Sequence, residues 1–441
     1  MTKFLIINGT MVTAERSFRG DIAIDKGKII STGDLFPAAF SGFDVIDATH
    51  KLVLPGGIDP HVHLSLPTPA GNSSDDFISG SIAALAGGTT TIIDFVTPLR
   101  GQSLIEALNL RRKEAESASC NLALHVGISE WNDRVAKEVV QCIRGEGIRS
   151  FKAYLAYRET IGISTEQLRQ LMEVVAREGA LVMVHCEDGE MISFLQMGFL
   201  HEGKCSPAYH PLSRPPIAEI NAIRGIIGLS EQTGCPVYIV HTSTADGAGL
   251  ILAAKEKGLK VYGETCPQYL LLDDSVYSAQ HSPWNILPFM MSPPIRKKDD
   301  AERLWKGLSD GTFDVVATDH CPFNLHGQKD LGINNFTKIP HGAGGIEHRL
   351  SLLYTYGVLK GKITINRFVD LVSTRPAEIF GWGGRKGKLL PGYDADVVIW
   401  DPDHVGTISV HNHLSQCDSE IYEGFHFQGK ADTVIIGGKI H

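Results

Sequence analysis

The middle of the chain alternates short runs of β-branched apolar residues with helical stretches. This pattern is typical of repeated βα units around a parallel sheet. We predict eight strands from these runs: residues 57–63, 89–95, 122–126, 150–155, 181–185, 237–241, 261–265 and 314–318. Eight parallel strands close a (β/α)8 barrel, whose active site lies at the carboxyl ends of the strands. The pattern therefore predicts an α/β protein with a TIM barrel.

Both ends of the chain carry short strands and turns without intervening helices. The strands predicted there include residues 4–7, 21–24, 45–47, 397–400 and 433–436. We expect the two ends to build one small β-sandwich domain, formed by residues 1–54 plus 387–441. The metal-dependent barrel domain would then span residues 55–386.

Side chains that can bind metal ions stand at the ends of the predicted barrel strands. They are His61 and His63 on the first strand, Lys152 on the fourth, His185 on the fifth, His241 on the sixth and Asp319 after the eighth. Because side chains two residues apart on a strand share a face, His61 and His63 can chelate one metal ion in the barrel mouth. Six such groups at one end of a barrel indicate a metal centre.

Lys152 is unusual because it lies in an apolar strand. Burial would lower the pKa of its amine and so favour the neutral form, which can react with CO2. The resulting carbamate, an N6-carboxylysine, offers anionic oxygens that can bridge two metal ions. The alternative is an ion-paired or surface-reaching lysine.

A second His-x-His pair, His411 and His413, lies in the β-rich tail. With 18 histidines in 441 residues, about one such pair is expected by chance. The tail sequence arranges no other candidate ligands around it. We therefore predict that both are surface histidines with no part in metal binding.

Composition and net charge limit the classes of molecule that the protein is expected to bind. The formal charge of -9, from 41 basic and 50 acidic residues, argues against a nucleic-acid groove or a polybasic membrane patch. No apolar run is long enough for a secretory signal or a membrane span. The eight cysteines contain no Cys-x-x-Cys pair, which favours reduced thiols. We expect a cytoplasmic protein that acts on a small molecule and binds neither nucleic acid nor membrane.

Six motifs, in order, resemble those of the cyclic amidohydrolases of the dihydropyrimidinase/D-hydantoinase family. They are residues 55–63 (PGGIDPHVH), 86–94 (AGGTTTIID), 150–154 (SFKAY), 264–270 (ETCPQYL), 292–296 (SPPIR) and 317–323 (ATDHCPF). The resemblance extends nearly from end to end. It implies ring opening of dihydropyrimidines or 5-substituted hydantoins by a hydroxide that bridges two metal ions.

The resemblance also assigns the metal ligands. One divalent ion, usually Zn²⁺ in the family, would be bound by His61, His63 and Asp319. A second would be bound by His185 and His241, and carboxylated Lys152 would bridge the two. The ions would make the bridging water acidic enough to act as a nucleophile. Asp319 would take its proton and pass it to the leaving nitrogen.

The resemblance implies the substrate contacts as well. The hydroxyl of Tyr157 would stabilise the oxyanion, unless it is a buried core tyrosine. Backbone groups of Ser292 and His341 would bind the ring amide. Relatives usually have Asn at His341 and Pro at Gly344, so these departures put substrate preference in doubt.

The loops of residues 64–67, 96–99 and 158–162 would contact the ring substituent. Leu64, Leu66 and Ile161 would form an apolar wall, and Arg158 and Glu159 would face solvent or a polar substituent. His320 would lie beside the site, pointing away from it.

Other functions remain open. An allantoinase or dihydroorotase shares the barrel and the bridging lysine, although the motifs at residues 292–296 and 319–323 resemble the hydantoinase versions more closely. A non-catalytic scaffold protein related to dihydropyrimidinase would lose ligands, whereas this chain keeps all six. The resemblance further implies a homodimer or homotetramer, of which the size stays open.

Overall fold

The computed structural model describes residues 3–157, 160–278 and 280–441, and its centre is a parallel barrel. Its strands are β1 (Phe4–Val12), β2 (Ser17–Asp25), β3 (Lys28–Gly33), β4 (Asp44–Asp47), β5 (Leu52–Pro55), β6 (Gly57–Val62), β7 (Pro67–Thr68), β8 (Gly71–Asn72), β9 (Thr89–Val96), β10 (Asn121–Gly127), β11 (Ser150–Tyr154), β12 (Leu181–His185), β13 (Val237–Ile239), β14 (Val261–Thr265), β15 (Val315–Val316), β16 (Val397–Thr407), β17 (His426–Ile436) and β18 (Lys439–Ile440).

The α-helices lie mostly between the barrel strands. They are α1 (Phe77–Ala86), α2 (Leu104–Ala115), α3 (Asp133–Arg144), α4 (Thr165–Arg177), α5 (Gly189–His201), α6 (His210–Ser213), α7 (Pro216–Thr233), α8 (Ala245–Glu256), α9 (Pro267–Leu271), α10 (Pro283–Ile286), α11 (Lys298–Ser309), α12 (Arg349–Leu353), α13 (Ile365–Val369) and α14 (Arg375–Ile379). Their local signals are clear. In α4, Ser164 and Gln167 form a capping box at the N-terminus, and the apolar face is buried.

The eight predicted barrel strands are confirmed. They pair in the order β15-β14-β13-β12-β11-β10-β9-β6. A parallel bridge between Val62 and His320 joins the first strand to the chain just after the last. Strands β13 and β15 end earlier than predicted, at Ile239 and Val316. Shortly after them, His241 and Asp319 adopt positive φ angles of 38° and 54°, which depart from extended backbone.

The inside of the barrel is filled by side chains that alternate along the strands. Pairs two residues apart, such as Ile93 and Phe95 on β9 or Leu181 and Met183 on β12, belong to one buried cluster. Tyr238 joins the cluster from β13. The barrel is therefore a packed core that supports the groups at its carboxyl end rather than a pore.

The chain ends form a second, mixed sheet in the order β18-β17-β16-β5-β1-β2-β3, with β4 also paired to β1. A separate apolar cluster, which includes Ile6, Ile22 and Val397, supports this sheet. The expected small β domain from both termini is thus confirmed, while its boundaries of 1–54 plus 387–441 stay a prediction.

We call residues 408–425, which connect β16 to β17, the tail segment. Ile408, Ile421 and Tyr422 of this segment share an apolar cluster with Met290 and Leu352 of the barrel region. The Tyr422 hydroxyl also donates a hydrogen bond to Gln268 Oε1 (3.3 Å). The tail segment therefore packs against the barrel, although its neighbours in sequence belong to the small β domain. Among the described residues, no helix has the length and apolar character needed to cross a membrane.

A fully buried arginine connects separate barrel strands. Arg349 Nη1 donates to the carbonyls of Ile58 (2.8 Å) and Val316 (3.1 Å). Its Nη2 donates to Thr89 Oγ1 at 2.9 Å. The charge is balanced by buried Asp59, whose Oδ2 lies 3.9 Å from Arg349 Nε. One side chain thus bonds to β6, β9 and β15 where the barrel closes.

We expect Arg349→Met to lower the free energy of unfolding by about 3–5 kcal/mol, because it leaves the Asp59 carboxylate buried without its cation. Arg144→Met is the matched control, since Arg144 pairs with Glu178 at the surface and should leave the transition almost unchanged. Denaturant unfolding of both variants measures the difference. A loss in Arg349→Met no larger than in the control would contradict the role given to this arginine.

Candidate metal centre and active site

Three of the predicted ligands meet at the carboxyl end of the barrel. His61 Nε2 and His63 Nε2 each lie 3.2 Å from Asp319 Oδ1. Their ligand atoms all lie within 4.8 Å of one another. The two imidazoles come from β6 and the residue that follows it. The carboxylate comes from the chain just after β15, which the bridge between Val62 and His320 brings beside β6. This grouping agrees with the expected chelating pair.

A buried carboxylate orients the first histidine. His61 Nδ1 donates to Glu264 Oε1 at 2.7 Å, which leaves Nε2 as the lone-pair nitrogen facing Asp319. Glu264 also accepts from the Tyr238 hydroxyl (2.8 Å) and from the backbone N–H of His241 (2.8 Å). Burial raises the pKa of Glu264 to about 7.

The other two predicted histidines form a second group. His185 Nδ1 lies 2.9 Å from His241 Nε2. His185 Nε2 donates to Glu187 Oε2 at 2.8 Å, and Arg214 pairs with the same carboxylate. The orientation of His185 is therefore fixed in the same way as that of His61, with Nδ1 left for a ligand.

The histidines are neutral at ordinary pH. Burial lowers the pKa of His185, and it lowers the pKa of His61 and His241 well below their usual value. Neutral imidazole is the form that binds metal ions. The charge state of these three side chains thus suits ligation.

Lys152 lies between the two groups and is 1% exposed. Its Nζ is 3.5 Å from His61 Nε2 and 5.1 Å from the centre of the Phe95 ring. Burial lowers its pKa to about 8, so a substantial share of the amine is neutral in mildly alkaline solution. The alternative of a surface-reaching lysine is excluded by this burial.

Asp319 stays ionised in this environment. Burial acts to raise its pKa, but His61, His63 and Lys152 outweigh burial and hold the pKa at about 2. An ionised carboxylate can bind a cation and can also accept a proton. His320, the next residue, turns away and donates from Nε2 to Asp75 Oδ2 at 3.0 Å, as expected for a residue beside the site.

Tyr157 faces the second group from the loop after β11. Its ring centre lies 5.4 Å from that of His185, and the Arg214 guanidinium lies 5.2 Å from its ring centre. The turn is closed by backbone N–H groups of residues 160–162, which donate to the Tyr157 carbonyl. Burial raises the pKa of the hydroxyl, which therefore remains a proton donor.

Ser292 and His341, the predicted amide-binding residues, are neighbours. Ser292 Oγ lies 2.8 Å from His341 Nδ1. Burial lowers the pKa of His341 well below its usual value, so this imidazole does not titrate near neutral pH. Lys329 holds the same loop, since its Nζ donates to the Gly342 carbonyl at 2.7 Å.

The predicted apolar wall is only partly assembled. Leu64 is fully buried, and its side chain packs so closely on α1 that a Cβ added at Gly80 would lie 2.3 Å from it. Leu64 is therefore a core residue, and its predicted substrate contact is not supported. Leu66 and Ile161 are half-buried at the loops where the wall was expected. Arg158 and Glu159 lie outside the described residues.

The donor set fits divalent metal ions. Two groups of imidazole nitrogens, one ionised carboxylate and one lysine amine converge at the barrel mouth. The orienting carboxylates fix the tautomers of His61 and His185 so that lone pairs point inward, as in metal centres.

The sequence analysis missed the two orienting carboxylates. Glu187 lies two residues after His185, and Glu264 lies within the seventh predicted strand. For Glu187, the available signal was its position two residues after His185, because side chains two residues apart along a strand share a face. For Glu264, the signal was an acidic residue inside an otherwise apolar strand.

The prediction for the tail histidines is wrong for one of them. His411 is exposed, as expected. The His413 side chain is only 4% exposed, and its Nδ1 lies 3.3 Å from Glu420 Oε2. His348, from the barrel domain, reaches the same carboxylate, so the neighbours of His413 come from a part of the chain that is distant in sequence.

Comparisons with known proteins agree with this geometry. The family model described as "Amidohydrolase family" matches residues 52–441. A D-hydantoinase of Geobacillus stearothermophilus is 42% identical over 440 residues, which cover 100% of this chain and 92% of the relative. A dihydropyrimidinase of Dictyostelium discoideum is 39% identical and is covered to 86%, with 99% of this chain aligned.

A solved structure gives the same result in three dimensions. The crystal structure of dihydropyrimidinase from Brevibacillus agri NCHU1002 superposes with a TM-score of 0.97 at 40% identity, covering 100% of this chain and 95% of that one. These similarities, together with the family match and the positions of the candidate metal ligands, show that the chain belongs to the amidohydrolase family, within its dihydropyrimidinase/hydantoinase group.

Proposed function

We propose that this protein opens the ring of a dihydropyrimidine or a 5-substituted hydantoin by hydrolysis of a cyclic amide. The observation that carries the proposal is the meeting of His61, His63 and Asp319 with Lys152 and the His185–His241 pair at one barrel mouth. Hydrolysis of a cyclic amide is also the activity that the printed names of the relatives indicate.

The family and the grouped ligands support the use of divalent metal. We infer two ions per chain, of which Zn²⁺ is the usual family choice. His61, His63 and Asp319 would hold one, His185 and His241 the other, and the carbamate of Lys152 would bridge them. When bound, such ions lower the pKa of a water molecule and polarise a carbonyl.

Asp319 acts as the proton carrier in this proposal. Its low pKa keeps it ionised and ready to accept the proton of the attacking water. The water oxygen bonds to the amide carbon, and the ring C–N bond breaks. Asp319 then gives the proton to the departing nitrogen, which leaves as part of the ring-opened product.

Tyr157 supplies the hydrogen bond to the developing oxyanion. Its raised pKa keeps the hydroxyl protonated, and Arg214 and the turn at residues 160–162 fix its position. Ser292 and His341 bind the amide through main-chain groups. Leu66 and Ile161 would contact the ring substituent.

We also propose the cellular compartment, the partner, the assembly and the domain boundaries of this protein. All eight cysteines are free thiols, which suits the reducing cytoplasm. The partner is the small cyclic amide itself, and a homodimer or homotetramer is the proposed assembly. The proposed domain boundaries are residues 1–54 plus 387–441 for the β domain and 55–386 for the barrel.

A panel of rings tests the substrate class. The metal-loaded protein is assayed with dihydrouracil, hydantoin, 5-substituted hydantoins, allantoin and dihydroorotate, and loss of ring absorbance is followed. We expect the first three to be opened fastest. Turnover restricted to allantoin or dihydroorotate would favour those enzymes, and failure to open any ring would favour the scaffold alternative.

Carboxylation of Lys152 should depend on pH. Because its pKa is about 8, the reactive neutral amine increases as pH rises through that value, so incorporation of ¹³C-labelled bicarbonate into metal-free protein should increase from about pH 6 to about pH 9. The carbamate carbon is observed by NMR. Lys152→Arg is the control and should show no signal. A labelled carbamate signal that persists in this variant would refute the assignment.

Tyr157→Phe should keep the metal content and lower kcat by about 10²–10³-fold, because a single oxyanion donor is removed. Tyr262→Phe, on β14 near Arg375 and outside the site, is the control and should keep full activity. Metal analysis and steady-state kinetics are measured on the same preparations. Full activity of Tyr157→Phe would make this tyrosine a core residue.

A further inference from the structure

A second group of metal-ligand side chains lies outside the barrel mouth. His348, His413 and Glu420 each offer a ligand atom within 4.8 Å of the others. The proposed hydrolysis does not use them. His348 is the residue before α12, and the other two belong to the tail segment, so the group connects the barrel to the chain end.

The separations match a zinc-like coordination shell. Glu420 Oε2 lies 3.3 Å from His413 Nδ1 and 3.4 Å from His348 Nε2. Bonds of about 2.0–2.1 Å in a tetrahedral site place neighbouring ligand atoms about 3.3 Å apart. Two imidazoles and one carboxylate are also a known zinc ligand set.

The hydrogen bonds of His413 and Glu420 leave His413 Nδ1 and Glu420 Oε2 available to bind a metal ion. His413 Nε2 donates to the Cys417 carbonyl at 3.0 Å, which fixes the proton there and leaves Nδ1 with its lone pair. Glu420 Oε1 accepts from the backbone N–H of Tyr422 at 2.9 Å, so Oε2 is the oxygen that faces the histidines.

His348 provides an independent indication of a missing partner. Its side chain is 10% exposed. Its Nε2 is buried and makes no hydrogen bond within the part of the chain that the structure describes. A polar atom buried in this way is costly unless something binds it.

An ion-paired cluster without metal is the alternative. Glu420 raises the pKa of His413 against the effect of burial, and the histidines hold the pKa of Glu420 at about 2 although burial acts to raise it. A proton on His413 would satisfy the carboxylate. It would leave His348 Nε2 at 3.4 Å from Glu420 Oε2 without a hydrogen bond, whereas a metal ion would bind both atoms.

Space for a further ligand is present. A cavity of about 10 Å³ is bordered by all three side chains, and Ser415 and Ser419 also line it. This volume is about that needed for one water molecule. Three protein ligands and a water would complete four-coordination.

We propose that His348 Nε2, His413 Nδ1 and Glu420 Oε2 bind a divalent transition-metal ion of the zinc type, which ties the tail segment to the barrel. The role is structural. The loop before His348 also contacts the active-site side, since the Gly345 N–H donates to His320 Nδ1 at 3.2 Å. The tail segment reaches the same region through Ser415, whose hydroxyl donates to Asp75.

Anomalous scattering at the zinc edge tests the site in crystals of the full-length protein soaked with Zn²⁺. We expect a peak between the three ligand atoms, separate from any peak at the barrel mouth. Its position makes the outcome independent of the proposed hydrolysis. Absence of a peak there would overturn the proposal, whatever the barrel contains.

Variants provide the solution test. His413→Ala and Glu420→Gln should each bind one Zn²⁺ per chain less than the unmodified protein, and zinc should no longer raise their thermal midpoint through this site. His411→Ala is the matched control, because His411 is exposed two residues away. We expect it to retain the full stoichiometry.

Activity separates the two kinds of centre. His413→Ala should keep turnover within about twofold, because the loss of a structural ion outside the barrel leaves the barrel ligands in place. Unchanged zinc stoichiometry in both His413→Ala and Glu420→Gln would overturn the proposal. Glu420→Gln preserves side-chain volume, so it tests the ligand even where His413→Ala folds poorly.

Discussion

The site depends on a carboxylate held inside the barrel. Glu264 is fully buried and bonds at once to His61, the Tyr238 hydroxyl and the backbone N–H of His241. A buried acidic group is tolerated only when such partners satisfy it. Because these partners come from β6, β13 and the second residue after β13, the same bonds that satisfy Glu264 set the relative position of two candidate metal ligands. Glu187 does the same for His185 with the help of Arg214.

Much of this arrangement could be predicted from local patterns. The eight strands were visible because parallel strands buried on both faces are continuous apolar runs. Five of the six ligand candidates followed because they stand at or near a strand end, and Lys152 followed because a lysine is unusual inside an apolar strand. Glu264 was not identified, since its partner His61 lies on a strand distant in sequence. Glu187 was missed although it lies only two residues after His185, because the added bond to Arg214 that marks it comes from a different part of the chain. The surroundings of His413 were missed because His348 is distant in sequence. It approaches His413 only when the tail segment folds onto the barrel.

Local backbone strain marks the site more sharply than composition does. Tyr157, His241 and Asp319 all have positive φ angles of 57°, 38° and 54°, although none is glycine. Such conformations are costly and persist where surrounding structure imposes them. Here they fall two or three residues after the ends of β11, β13 and β15, at the positions that carry side chains of the barrel mouth, which no propensity scale predicts. The assignment of Leu64 failed for a related reason, because the direction of a side chain after a strand end depends on the turn that follows.

The position of Arg214 has a consequence for how the enzyme can diverge. Its guanidinium lies over the Tyr157 ring and pairs with Glu187, which in turn orients His185. A substitution at Arg214 that made room for a larger ring would therefore disturb a metal-ligand candidate and the proposed oxyanion donor together. The bond of Ile161 to Tyr157 is made by its backbone N–H, so the Ile161 side chain can change without removing that bond. In the proposed site, substrate range can therefore vary through the side chains of Leu66 and Ile161, while the bonds among Arg214, Glu187 and His185 keep the inner wall of the mouth constant.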